Sequence, residues 1–209
     1  MFKDRNHAAQ ILAGRLSKYA NSEDVVLAIP RGGVVLGYEL SKLLNLPLES
    51  VLTQKIGHPY NKEYSIGSVS LFGAVFNEDF GVDENYLRWE TESARKILRK
   101  KFDMYMSGRK PVNFQNKTVI LADDGIATGN TMLSVIEMLI RSKTGEIIVA
   151  VPVASQNAIR KIRSYVNVMI CCLTIPDNFY AVSQVYENFD NVSDEEVINL
   201  LRLANGREK

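Results

Sequence analysis

Apolar positions along the chain fall into short unbroken runs separated by segments of helical period. Ala8, Ala9, Ile11, Leu12, Leu16 and Tyr19 recur every three or four residues, which predicts an amphipathic helix over about 5–19. Val25 to Ile29 reads as a short buried strand, stopped by Pro30 and by Gly32 and Gly33, and Val34 to Leu44 reads as a second helix. Leu48 to Lys55 predicts another strand. The polar stretch Gly57 to Tyr64 predicts a loop, which we extend to a flexible segment over about 57–70 with short β-like pieces near Gly67–Ser70 and Gly73–Phe76. Asp83 to Met106 is a long charged helix with Leu87, Ala94, Leu98 and Phe102 on one side. Strand Thr118–Ala122, helix Thr131–Arg141, strand Glu146–Val151, helix Gln156–Tyr165 and strand Val168–Leu173 follow. Ser193-Asp-Glu-Glu196 is a capping-box pattern that starts a last helix.

This alternation predicts an α/β fold: a mostly parallel central sheet with helices on both faces. One domain over 1–209 is expected, with the loop at 57–70 and a small C-terminal hood or lid over about 174–209. A hydrophobic share of 46% supports a real core, and a net charge of +1 gives no bulk support for binding nucleic acid or a membrane surface. Cys171 and Cys172 are adjacent, so neither a disulfide framework nor a multi-cysteine metal site is available. Residues 1–20 lack the apolar core of a signal peptide, and no run reaches the roughly 20 apolar residues of a membrane span. A cytoplasmic setting is the expectation.

The densest chemistry lies in Val119 to Thr131, where four apolar residues end in Asp123 and Asp124 and a Gly/Thr-rich turn follows. Ligands of open parallel sheets bind beyond the carboxyl ends of strands. Two carboxylates there can accept the vicinal hydroxyls of a ribose or hold Mg²⁺. Backbone N–H groups and hydroxyls over Ala127 to Thr131, ahead of a helix, can nest a phosphate. An Asx-type turn with an ordinary helix cap is the plainer reading. Arg31, Gly32 and Gly33 either bring donors to an anion or form a tight turn carrying a surface arginine. Lys55 is either a positive charge at a site or a solvated strand end. His58, without a paired acid, reads as a loop residue, and zinc is not expected from two distant histidines. The spacing excludes a nucleoside-triphosphate P-loop and a dinucleotide fingerprint.

Val119–Thr131 resembles the signature for 5-phosphoribosyl 1-diphosphate (PRPP) of the type I phosphoribosyltransferase family throughout its length. Lys55–Gly67 and Thr174–Tyr186 are similar to segments of a group of predicted phosphoribosyltransferases, so the likeness spans about 2–200. The resemblance implies a type I phosphoribosyltransferase fold and a Mg²⁺-dependent enzyme. Such an enzyme transfers the phosphoribosyl group from PRPP to a nitrogen of a purine, pyrimidine or related base. It assigns Asp123 and Asp124 to the ribose hydroxyls and Mg²⁺, and Gly125, Ile126, Ala127, Thr128, Gly129, Asn130 and Thr131 to the 5-phosphate turn. Arg31, Gly32 and Gly33 become the pyrophosphate loop, a place where the family often has a non-proline cis peptide. Beside these assignments, Lys55 is a candidate to place a positive charge by the leaving pyrophosphate, and Glu63, from its place on the loop, is a candidate for proton handling or a Mg²⁺-bound water. Phe179 and Tyr180 either stack on the base or close a hydrophobic edge.

One position departs from part of the family. Enzymes acting on hypoxanthine or guanine usually carry an aspartate where this chain has Ala127, which disfavours a 6-oxopurine acceptor. Partners implied are PRPP, a base and, as an option, a second copy in a homodimer; neither membrane nor nucleic acid is expected. The alternative from another class is a PRPP- or nucleotide-binding regulatory protein of the same fold with little or no transferase activity.

Overall fold

The structure is a computed structural model that describes residues 1–71, 73–76, 81–106 and 112–206, without the side chains of Glu63, Ser65, Val75, Met106 and Asn205. Its strands are β1 (Val25–Ala28), β2 (Leu48–Ser50), β3 (Thr53–His58), β4 (Asn61–Ser70), β5 (Ala74–Phe76), β6 (Val119–Ala122), β7 (Ile147–Val153) and β8 (Val168–Thr174). The helices are α1 (Arg5–Arg15), α2 (Gly32–Leu44), α3 (Glu84–Met106), α4 (Asn130–Arg141), α5 (Gln156–Ile162) and α6 (Asp194–Asn205).

Five strands form a parallel sheet in the order β2-β1-β6-β7-β8, with Ala28, Ala122 and Ala150 side by side at its carboxyl edge. Successive side chains of a strand point to opposite faces. Val26, Ile120 and Ile148 accordingly join one buried core with Leu12, Leu36, Leu40 and Leu98. Leu27, Leu121 and Val149 join a second with Val135, Leu139 and Ile159. Helices cover both faces, which is why the central strands read as unbroken apolar runs.

The largest difference from the sequence reading lies between Leu48 and Ser70. The single strand expected over Leu48–Lys55 is divided: β2 joins the parallel sheet, and β3 leaves it to pair antiparallel with β4. The expected loop at 57–70 is therefore mostly a β-hairpin, extended by β5 into a small second sheet. Its outer part is polar and exposed, so the pairing rests on backbone hydrogen bonds that leave no apolar alternation to read. The hairpin is pinned to α3: the Tyr86 hydroxyl donates to the Gly57 carbonyl at 2.7 Å, and Lys62 pairs with Glu90.

At the other end of the chain, the Ser193 hydroxyl accepts from the Glu196 N–H at 3.1 Å, as the capping pattern requires. Ser193→Ala should cost about 1 kcal/mol and lower the melting temperature by roughly 2–4 °C in a thermal denaturation scan. An unchanged melt would mean that packing alone sets this helix start. Both cysteines are free; Cys172 donates to the Thr174 carbonyl at 3.1 Å, and burial pushes its thiol up to about 11, which removes it as a nucleophile near neutral pH. Among the described residues, no helix is long and apolar enough to cross a membrane.

Candidate functional site

Strand order reverses between β1 and β6: β2 lies on one side of β1, while β7 and β8 continue beyond β6. Loops leaving two such strands diverge and open a crevice at their carboxyl ends. Here those loops are 29–33 and 123–129, the two segments that the sequence singles out.

The loops touch through the absence of side chains. A Cβ on Gly32 would stand 1.8 Å from Asp124 Oδ2, and one on Gly33 would stand 3.0 Å from Asp123 Oδ1 and 2.9 Å from the Ala122 carbonyl. Only glycine lets α2 start so close to the acid pair. The sequence reading offers these glycines to an anion; what the structure gives them is the task of making room for the carboxylates. The Pro30–Arg31 peptide is cis, within the loop where the family resemblance implied such a bond. Arg31, the residue that precedes α2, is exposed.

Asp123 Oδ1 accepts from the Asp124 N–H at 2.8 Å. Part of Asp123 remains accessible, but its carboxyl is surrounded by protein. That burial, and then the charge of Asp124, push its pKa well above the ordinary carboxylate range. Asp124 has a different environment. Arg5 Nε donates to its Oδ2 at 2.8 Å, and both side chains are largely buried, at 10% and 15% exposure. Arg5 Nη1 also donates to the Asp190 carbonyl at 3.0 Å, and its guanidinium lies 4.0 Å from the centre of the Phe189 ring. Sequence reasoning missed Arg5. The signal was present: Arg5 shares the i, i+3, i+4, i+7 stripe with Ala8, Ala9 and Leu12, and a charge on a buried stripe requires a partner.

After the acids, the Ile126 N–H donates to the Val153 carbonyl at 2.8 Å, and Ser155 Oγ donates to the Ala127 carbonyl at 2.6 Å. These bonds hold the turn against the start of α5. Gly129 has φ +84° and precedes α4 without a side-chain cap, so the first-turn N–H groups of that helix have no capping acceptor from it. Ala127, Thr128 and Asn130 are exposed beside it.

Arg31, Lys55 and Thr131 come together around one open cleft of about 610 Å³, joined by Lys101 from α3. Tyr105 and Asp194 close one side, the phenol donating to Asp194 Oδ1 at 2.5 Å. Asp123 and Asp124 lie behind the two glycines and do not line this cleft. The segment after β8 packs on a different part of the crevice. A Cβ on Gly125 would lie 2.5 Å from Val182 Cγ1, and the Tyr186 hydroxyl donates to the Asp124 carbonyl at 2.7 Å. Phe179 is half-buried and Tyr180 is 84% exposed, with its N–H donating to Gln184 Oε1 at 3.0 Å. Glu63 lies on β4, and its side chain is outside the described residues. Among the described residues no third His, Cys, Asp or Glu joins the acid pair in a metal-binding group.

A family model for the phosphoribosyl transferase domain matches residues 3–190. The chain belongs to this family. It is 30% identical to a Mycobacterium tuberculosis protein provisionally named a phosphoribosyl transferase, over 98% of this chain and 47% of that protein. The chain thus spans about half the length of the curated relatives it matches. Among solved structures, a Thermus thermophilus protein, TT1426, superposes with a TM-score of 0.85 at 34% identity, over 96% of this chain and 97% of the other. A Neisseria gonorrhoeae protein solved with bound ppGpp gives a TM-score of 0.55 at 16% identity over 99% of both chains, a likeness of fold. The central sheet, its flanking helices and the family assignment together establish the type I phosphoribosyltransferase fold expected from the sequence.

Proposed function

We propose that the chain transfers a 5-phosphoribosyl group from PRPP to a ring nitrogen of a base and releases pyrophosphate. The observation that carries this reading is the grouping, at the strand-order reversal, of a buried acid pair, a glycine turn ahead of α4 and a separate cleft lined by Arg31, Lys55 and Lys101. Each suits one part of PRPP: hydroxyls, 5-phosphate and pyrophosphate.

In this reading Asp123 and Asp124 accept the ribose hydroxyls. The backbone over Gly125 to Thr131, with the Thr128 and Thr131 hydroxyls, holds the 5-phosphate at the start of α4. Arg31 and Lys55 receive negative charge as the C1–oxygen bond to pyrophosphate breaks and C1 acquires oxocarbenium character. The C1–nitrogen bond forms with the acceptor, whose proton leaves to a base, and Glu63 is the proposed acceptor for it. Catalysis is then positioning and electrostatic stabilisation, without a covalent intermediate. Mg²⁺ fits the donor set, because it needs only one or two carboxylates when phosphate oxygens and water complete its shell. Asp123 and Asp124 would hold it, and it would supply charge neutralisation on the departing pyrophosphate.

Phe179 and Tyr180 sit on the hood segment, and an exposed Tyr180 ring is available for stacking on an acceptor. Ala127 supports an acceptor other than a 6-oxopurine. A cytoplasmic setting and a homodimer belong to the same reading.

Incubation with PRPP, Mg²⁺ and a panel of adenine, orotate, uracil and related bases tests it, with pyrophosphate release and nucleotide mass as readouts. Base-dependent pyrophosphate with a matching nucleotide is the expected result. Pyrophosphate without a base would make the protein a hydrolase, and PRPP binding without turnover would make it a regulator.

A further inference from the structure

Lys101 belongs to no motif of the sequence, yet the fold delivers it to the cationic cleft. Leu98, Lys101 and Tyr105 occupy positions i, i+3 and i+7 of α3, and therefore share one helix face. Leu98 and Tyr105 are buried at 1% and 4% exposure, and both line the cleft with Lys101 between them. All three successive cations of α3, Arg99, Lys100 and Lys101, are exposed, but only Lys101 lines the cleft.

The cleft gathers Arg31 from the loop after β1, Lys55 from β3 and Lys101 from α3. Among the described residues, none of these three side chains makes an ion pair or a hydrogen bond. Asp194, the carboxylate at the cleft, already accepts from the Tyr105 hydroxyl. That bond ties α3 to the start of α6 four residues beyond Lys101 and fixes the helix face that bears it. Three converging cations repel one another, and a polyanion relieves the repulsion while using every charge.

We infer that Lys101 is a further pyrophosphate-binding residue, contributed by a helix outside the signature loops. The inference rests on the proposed PRPP reading and adds to it a contact at the diphosphate end. A lysine donates as a point charge to phosphate oxygens, so the contact asks little of geometry beyond approach.

Titration calorimetry with Mg²⁺–pyrophosphate, PRPP and ribose 5-phosphate tests this. Lys101→Gln should weaken pyrophosphate and PRPP by about tenfold, the low end for a charge-assisted contact because the side chain is exposed. It should leave ribose 5-phosphate unchanged, since that ligand lacks the diphosphate. Lys101→Arg should stay within about threefold of wild type, because the charge is kept. Lys100→Gln, one position away on the solvated side, should bind all three ligands normally. Wild-type affinity in Lys101→Gln, or equal losses in Lys100→Gln and Lys101→Gln, would overturn the inference while leaving the donor reading intact. A wild-type protein that binds neither pyrophosphate nor PRPP would overturn the donor reading, and this inference with it.

Discussion

Asp123→Asn is expected to lower PRPP-dependent turnover by at least roughly 100-fold while leaving the free protein as stable as wild type, or more so, near neutral pH. The two effects have one cause. Burial and the neighbouring charge of Asp124 oppose ionisation of Asp123, so its charged form is held in place by the fold at a cost. Asparagine keeps the shape and an accepting oxygen and removes that cost, but it cannot offer a full negative charge to ribose hydroxyls or Mg²⁺. The pH dependence follows with a definite sign. A carboxyl whose folded pKa exceeds its unfolded one binds more protons when folded. Its contribution is present below the unfolded pKa and is lost as pH rises through the folded one. Wild type should therefore lose this contribution as the pH climbs above the ordinary carboxylate range, and Asp123→Asn should flatten that part of the curve. Thermal melts across about pH 4–8 with a chelator present, set beside steady-state assays with Mg²⁺, measure both. A variant that keeps turnover, or that melts well below wild type at neutral pH, would contradict the assignment.

The acid pair was legible because its order is local: an apolar strand, two acids and a glycine turn occupy consecutive positions. The parallel sheet was legible for a related reason, since doubly covered strands leave unbroken apolar runs such as Val119–Ala122 and Ile147–Val153. What escaped were features made by distance along the chain. The division of Leu48–Lys55 into two sheets depends on where β4 returns, and an exposed ribbon of Lys62 and Tyr64 carries no hydrophobic period to announce it. Gly32 was readable as a turn residue, but its closeness to Asp124 required β1 and β6 to be neighbours. Lys101 looked like one more charge on a solvated helix until α3 was laid against the cleft. Arg5 is the instructive case, because its place on an apolar stripe was visible and only its partner was not.

Arg5→Met should be the most destabilising single change at this site, costing about 3–5 kcal/mol and lowering the melting temperature by roughly 10 °C. The pair it breaks is largely buried, and the loss leaves the Asp124 carboxylate without its cation. Arg5→Lys should recover little of it. The guanidinium donates to Asp124 and to the Asp190 carbonyl at once and lies over the Phe189 ring, a combination that a single ammonium cannot reproduce. Simple double replacement of Asp123 and Asp124 by asparagine is for the same reason not a clean catalytic knockout: Asp124→Asn strands Arg5 as well as removing the proposed ribose ligand. A double-mutant cycle separates these roles. Arg5→Met combined with Asp124→Asn removes both charges, so it should be more stable than the sum of the single changes predicts, by about 2 kcal/mol or more. On the proposed reading turnover should not return with stability, because the carboxylate assigned to the ribose is gone. Additive stabilities would show that the two side chains do not hold one another. Recovered turnover in the double variant would show that Asp124 serves the fold and not the sugar.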